Sequence, residues 1–395
     1  MFALSKSVVR VTSFTGKELR ELFRRPGVLA SLILGPFGIM LVFGLGYTGT
    51  RQPFDTEIVI PAGVVLPADP AAYQQLGQGR IRVVRVGADA AGPHDRLARK
   101  VIDLVVEVPP NAVEELRAGH QTTIKIAWNE VDPVYDQLAQ LAVTTLVSAL
   151  NSEIIRQVAA EGISVAGAKA PVQLSPEVIA APTTAQVTNV APSPPAVINF
   201  FGPAVFALVL QHLAVTLTAL SMVRERLSGQ MDLFRVSPVT STELLLGKYI
   251  AFAVLSLAVS GLVAATLVYV LGVPMLAGWL VFVGIVLLLT FAALGVGLLI
   301  SLVSDSERQA VQLSMLVLLA SVFFSGFVLP VEDFIGPVQY LSYVLPVTHG
   351  IETLQQAMLR GSVSSTWMLA ALAGIGLLLF VATLLRLRRV LRSAD

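Results

Sequence analysis

The chain of 395 residues contains no cysteine, which removes disulfides, thiol catalysis and Cys-ligated metals from consideration. Charge is also scarce. Asp, Glu, Lys and Arg make up 13% of the residues, where soluble domains carry about a quarter. With 55% hydrophobic residues and a mean hydropathy of +0.76, the composition is that of a membrane protein. A net charge of +1 gives no case for nucleic-acid binding. The four histidines, His94, His120, His212 and His349, show no metal-ligand spacing. No G-x-x-x-x-G-K-S/T phosphate loop occurs. Gly16-Lys17 and Gly247-Lys248 lack both the upstream glycine and the following hydroxyl residue. The chain is therefore not expected to hydrolyse ATP itself. No cleavable leader is evident, and the first apolar run reads as an uncleaved span.

What remains is organised by long apolar runs. Residues 1–26 carry Lys6, Arg10, Lys17, Arg20 and Arg24 on one helical face and Val8, Val11, Leu19 and Leu22 on another. This predicts an N-terminal amphipathic helix lying in the membrane interface, a simple basic flank being the alternative. Residues 27–48 read as a first span and place the N-terminus in the cytoplasm. Residues 49–196 read as a mixed α/β domain outside the cytoplasm. Its predicted strands are 56–65, 80–86, 103–108 and 121–128. A short helix is predicted over 111–118 and a long one over 134–161, with Leu138, Leu141, Leu146, Leu150 and Ile154 at helical spacing. Pro171, Pro176, Pro182, Pro192, Pro194 and Pro195 mark 170–195 as a stiff linker. Residues 197–395 then hold five more predicted spans, over 197–222, 249–271, 279–303, 310–329 and 367–385. The fold class is thus an α-helical polytopic membrane protein with six transmembrane helices and a mixed α/β extracytoplasmic domain. Both ends are cytoplasmic, with Arg386, Arg388, Arg389 and Arg392 anchoring the C-terminus.

Two stretches interrupt this pattern. Residues 223–248 form a charged island between the second and third spans. Residues 331–366 contain apolar pieces too short to cross, 334–345 and 351–359, which fit re-entrant or interfacial helices on the outer side. Glu332, Asp333, His349 and Glu352 lie there. Within the second span, Gln211 and His212 are polar at mid-membrane depth. They read either as part of a pathway or as helix–helix packing.

RERLSGQMDLFRVSPVTSTELLLGK, residues 224–248, resembles the RER…P…E…GK signature of ABC-2 type transporter permeases. SGFVLP followed by YVLPVTHGIETLQQAMLRG, within residues 325–361, resembles that family's second signature. The second signature often has Arg shortly after its Glu. Here Glu352 is followed by Gln355 and Gln356, and the basic residue is Arg360. A large external domain between spans 1 and 2 matches the drug- and lipid-exporting branch.

The resemblance implies a permease in the inner (plasma) membrane of a prokaryote, moving a hydrophobic or amphipathic substrate outward: a drug, a lipid or a lipid-linked molecule. It implies two copies of a separate ATP-binding subunit, which carry ATP and Mg, beneath two permeases, a homodimer being expected. No cofactor or metal is expected on this chain itself. The island becomes the segment that couples to the ATPase. Gly229 permits a break after span 2, and residues 225–235 can form a short helix. Met231 and Phe234 would plug a groove of the ATPase, with Arg224, Glu225, Arg226, Asp232 and Arg235 around them. Spans 2 and 5 would meet their dimer mates, so the substrate-path candidates are Gln211, His212 and Thr216, with Thr218 beside them, and Gln312, Ser321 and Ser325. An ion-driven secondary transporter would instead show internal repeats and charged mid-membrane residues, which the sequence does not display. The remaining alternative is a mechanotransmitting subunit that moves its external domain while nothing crosses the bilayer.

Overall fold

The computed structural model describes residues 53–61, 69–73, 79–111, 120–164, 180–236 and 241–392, together with Leu45 and Glu115. The expected interfacial helix over 1–26, the first span over 27–48 apart from Leu45, and most of the expected helix over 111–118 lie outside these residues. The chain divides into two compact units, residues 51–200 and residues 1–50 with 201–395.

The first unit is α/β. Its strands are β1 (Phe54–Val59), β2 (Ile81–Gly87), β3 (Leu104–Glu107), β4 (Thr122–Trp128) and β5 (Thr183–Asn189), with α1 (Ala91–Ala98) after β2 and α2 (Pro133–Ser164) after β4. The sheet order is β2-β1-β3-β4-β5. β1 runs parallel to both β2 and β3, β3 is antiparallel to β4, and β4 is parallel to β5. β3, in the middle, reads LVVE with Leu104, Val105 and Val106 all buried, as a strand covered on both faces must. β4 alternates, with Thr122, Ile124, Ile126 and Trp128 inward. Ala139, Ala142, Val143 and Leu146 of α2 pack on one face of the sheet, and Leu97 of α1 on the other. That stripe differs from the expected leucine face, since Leu141 is exposed.

Asp136 organises the end of this core. One carboxylate oxygen accepts from Trp128 Nε1 at 2.7 Å and Asn189 Nδ2 at 2.8 Å, and the other from Gln140 Nε2 at 2.8 Å. Buried Glu57 is held by both the Nε and the Nη2 of Arg96, at 2.8 and 2.5 Å. Part of the proline-bearing stretch expected as linker is strand β5, tied to α2 by the bonds of Asn151 to Thr183. Prolines flank Thr183–Asn189 but do not enter it, so its backbone can join β4.

The second unit is helical. Its elements are α3 (Val197–Leu227), α4 (Gln230–Val236), α5 (Ser241–Ala265, ending in a π turn at Thr266–Val270), α6 (Trp279–Val303) and α7 (Glu307–Phe324). They continue with α8 (Gly336–Val344), α9 (Pro346–Gln355, ending in a π turn at Gln356–Arg360) and α10 (Thr366–Arg392). Five of these, α3, α5 with its π turn, α6, α7 and α10, are long and apolar enough to cross a membrane. α8 and α9 are not among them, as expected for 331–366. The fifth expected span stops early, at Phe324, where Ser325 caps the helix and Gly326 turns left-handed at φ +87°. α7 starts at an N-cap, with Ser306 Oγ accepting from Gln309 N at 3.3 Å.

α6 is the hub. A Cβ at Gly297 would overlap the Thr218 hydroxyl and the Val215 carbonyl of α3. A Cβ on Gly295 would lie 2.6 Å from Leu379 of α10, one on Gly350 of α9 2.8 Å from Leu289, and one on Gly376 of α10 2.5 Å from Phe291. Small residues at crossings let apolar helices approach closely where no hydrophobic effect drives them together.

Candidate functional site

The island forms a corner. α3 continues past the expected end of its span and keeps Arg224, Glu225 and Arg226 within its last turns. The chain then breaks at Gly229, φ +76°, a conformation that a residue with a Cβ rarely adopts. α4 follows. The segment 225–235 is therefore two helices meeting at Gly229, not one.

The three charges at the end of α3 point to three neighbours. Arg224 Nε lies 3.0 Å from Glu307 Oε2, in the first turn of α7. Glu225 Oε1 lies 2.5 Å from Lys248 Nζ of α5, which is also 3.4 Å from Ser221 Oγ. Arg226 Nη2 donates to the Ser304 carbonyl at the end of α6. Lys248 is buried, with 8% of its surface exposed.

On α4, Met231 is buried in a cluster with Met222, Val223, Leu245, Tyr249 and Leu387, which joins α3, α5 and α10. It thus fills a pocket of this chain and is not on the outward face. Leu233 and Val236 are on that face, 65% and 84% exposed. Residues 231 and 233 point about 200° apart on a helix, whereas 233 and 236 share a side. The side chains of Asp232, Phe234 and Arg235 lie outside the described residues, though their backbone belongs to α4. Sequence reasoning missed Leu233 and Val236. The signal was their spacing, opposite Met231 on the helix wheel.

The path candidates divide. Gln211 and Ser321 are buried and bonded to each other, Nε2 to Oγ at 2.9 Å, linking α3 to α7. Thr218 is buried under Gly297 and donates back to the Ala214 carbonyl. His212 and Thr216 are half-buried on α3. His212 Nδ1 and the Thr216 hydroxyl have no hydrogen-bond partner among the described residues. Ser325 is buried just beyond α7, also without a partner for its hydroxyl among them. Gln312 is half-buried on α7.

In 331–366, His349 is buried and bonds the Tyr343 carbonyl through Nε2 at 2.8 Å, between the rings of Tyr343 and Trp367. Burial pushes the imidazole below its ordinary pKa, and that bond opposes the shift. Glu332 is exposed and Asp333 buried, in a short turn at Val331–Asp333. Glu352 accepts from Gln356 Nε2 at 2.8 Å. Gln356 also donates to Ser365 Oγ, and its carbonyl oxygen accepts from the backbone N–H groups of Ser364 and Ser365 at 3.0 and 3.2 Å. Gln356 thus steadies both Glu352 and the loop before α10, the latter partly through its carbonyl acceptor.

Comparison with known proteins follows the same outline. A family model described as "ABC-2 family transporter protein" matches residues 26–385. "Probable multidrug ABC transporter permease YbhS" of Escherichia coli (strain K12) is 30% identical over 166 residues, 42% of this chain and 44% of that protein. "Inner membrane transport permease YhhJ" of the same strain is 32% identical over 182 residues, 45% and 49% of the two chains. "ABC transporter G family member 20" of Dictyostelium discoideum is 26% identical over 192 residues, 47% of this chain and 26% of that one. The matched region spans less than half the length of each of these relatives.

Proposed function

The chain belongs to the ABC-2 transporter family, and from that premise we propose that it is the membrane-spanning permease subunit of an ATP-driven exporter. It works with a separate ATP-binding subunit, in two copies, and pairs with a second permease. It sits in the inner membrane with six spans, both termini in the cytoplasm and the α/β unit outside. The cargo is hydrophobic or amphipathic, a class supported by the names of the bacterial relatives and by the apolar walls of α3 and α7.

The observation that carries the reading is the corner at Gly229. α4 is short, is rooted in the chain's own core through Met231, and turns Leu233 and Val236 outward. A membrane subunit driven by a soluble ATPase needs such a lever: one side fixed in the spans, the other apolar and open to a partner's groove. Leu233 and Val236 replace Met231 as the plug, with Phe234 retained from the sequence reading. Arg224, Glu225 and Arg226 stand behind it. His212, Thr216, Gln312 and Ser325 remain path candidates, and so does Gln211, whose Nε2 reaches Ser321 but whose Oε1 has no partner among the described residues.

The test is co-expression with an ATP-binding cassette subunit that co-purifies with the chain. Inside-out vesicles should take up ethidium or a fluorescent phospholipid with ATP, and not with a hydrolysis-dead ATPase. Replacing Leu233 and Val236 together with Asp should abolish uptake while the permease still folds. Uptake unchanged in that variant would remove α4 from the coupling. ATP hydrolysis without uptake of either probe, accompanied by movement of the α/β unit, would favour the mechanotransmitting alternative.

A further inference from the structure

The sequence Arg224-Glu225-Arg226 looks like a charged surface for a partner. The geometry points elsewhere. Successive helical residues differ by about 100°, so three in a row cannot share one docking face. Each instead meets a different helix. Arg226 takes the Ser304 carbonyl at the C-terminal end of α6, one of the acceptors that a helix end leaves unsatisfied. Arg224 takes Glu307, an acidic residue already placed at the N-terminus of α7. Glu225 takes the buried Lys248, about two helical turns from the start of α5. A buried ammonium requires its counter-charge, so this contact is obligatory and not incidental. Thr218 under Gly297 fixes α3 against α6 just before the triplet.

We propose that Arg224, Glu225 and Arg226 are positioning residues. They form a three-way internal tie that binds the first part of α5, the end of α6 and the start of α7 to the corner, so that a push on α4 moves four spans as one body. The proposal rests on the exporter reading above, and it takes the triplet out of the ATPase interface.

Charge reversal tests it on the complex of the full chain with its co-purifying ATPase. Arg224→Glu and Glu307→Arg are the first pair, their side chains being 63% and 45% exposed and so tolerant of change. Lys248→Gln with Glu225→Gln probes the buried pair. Two quantities are read: the amount of ATPase retained, and the stimulation of its hydrolysis by the permease in proteoliposomes. Each single reversal should reduce stimulation at least fivefold while ATPase recovery stays within twofold, and the double reversal Arg224→Glu/Glu307→Arg should restore stimulation to within twofold. Glu225→Gln and Lys248→Gln together should be less damaging than either alone. Loss of ATPase recovery in step with stimulation, or a double reversal no better than the singles, overturns the tie and returns the triplet to the interface. A wild-type chain that brings down no ATPase overturns the exporter reading, and this proposal with it.

Discussion

The two units treat buried polar groups in opposite ways. In the α/β unit the buried polar side chains of the described residues are spent on partners, the Ser193 hydroxyl excepted. Asp136 serves Trp128, Asn189 and Gln140, Glu57 is forked by Arg96, and Asn151 clamps Thr183. In the helical unit, Tyr249, Ser256, Ser260, Thr290 and Thr383 keep buried hydroxyls with no hydrogen-bond partner among the described residues. Close glycine crossings surround α6 instead. The first unit is specified by directional bonds and the second by shape. The cause is solvent: in water an unpaired polar group loses bonds that the unfolded chain had, whereas in lipid close packing is the main attraction available between helices.

Four measurements can break or sharpen that contrast. The largest effect is expected at Gly297. Leu there meets the Val215 backbone carbonyl and the Thr218 hydroxyl, and one of those is rigid. We expect a loss of about 3 kcal/mol or more, seen as aggregation on size exclusion in detergent. Gly87→Ala in the α/β unit meets no atom within 4 Å and should leave melting unchanged. Second, Asp136→Ala strands three donors and should cost about 2–3 kcal/mol, measured by hydrogen exchange of β4 and β5 in the whole protein. Equal exchange in the variant would mean that bonding does not specify this unit. Third, His349 tests a directional contact inside the shape-packed unit. The native fold favours the neutral ring, while the unfolded chain takes up a proton near the ordinary value of 6.5. Stability is then fully present above that value and falls as pH drops towards the depressed native one, by up to about 1.4 kcal/mol per pH unit. His349→Gln should flatten this slope in a melting series from pH 7.5 to 5.5. The smallest effect is expected from Ser256→Ala, which removes a hydroxyl with no partner among the described residues and should change melting by no more than about 0.5 kcal/mol.

The same contrast governs what could be read from the sequence. β2 and β4 were legible because one face of each is wet and the other dry, and alternation records that. α6 was legible to the residue, Trp279–Val303, since an apolar run with a glycine before it and a polar loop after it has only one way to be cut. β5 was not. Thr183–Asn189 is an edge strand with mostly exposed side chains, so it carries no apolar alternation, and the prolines around it suggested a linker. α1 was hidden by Pro93 in its first turn, a position where proline is tolerated. At the corner, the amphipathic pattern announced an apolar side of α4 but not its owner. Met231 and the Leu233–Val236 pair point in different directions, and only packing shows that the chain keeps the first for itself. The triplet was read as surface because span 2 was cut at Met222. Extending the helix by five residues, to Leu227, carries the charges into the bundle's end.

The glycine-lined crossings of α6 have a mechanical meaning. A hydrogen bond between two helices acts as a latch: it holds until it snaps, and it permits only one register. A glycine crossing acts as a socket. Around α6, Gly297 receives Thr218 and the Val215 carbonyl of α3, Gly295 receives Leu379 of α10, and Gly350 and Gly376 on its neighbours receive Leu289 and Phe291 of α6 itself. Each socket is filled, so a displacement of α6 carries with it the helices seated around it.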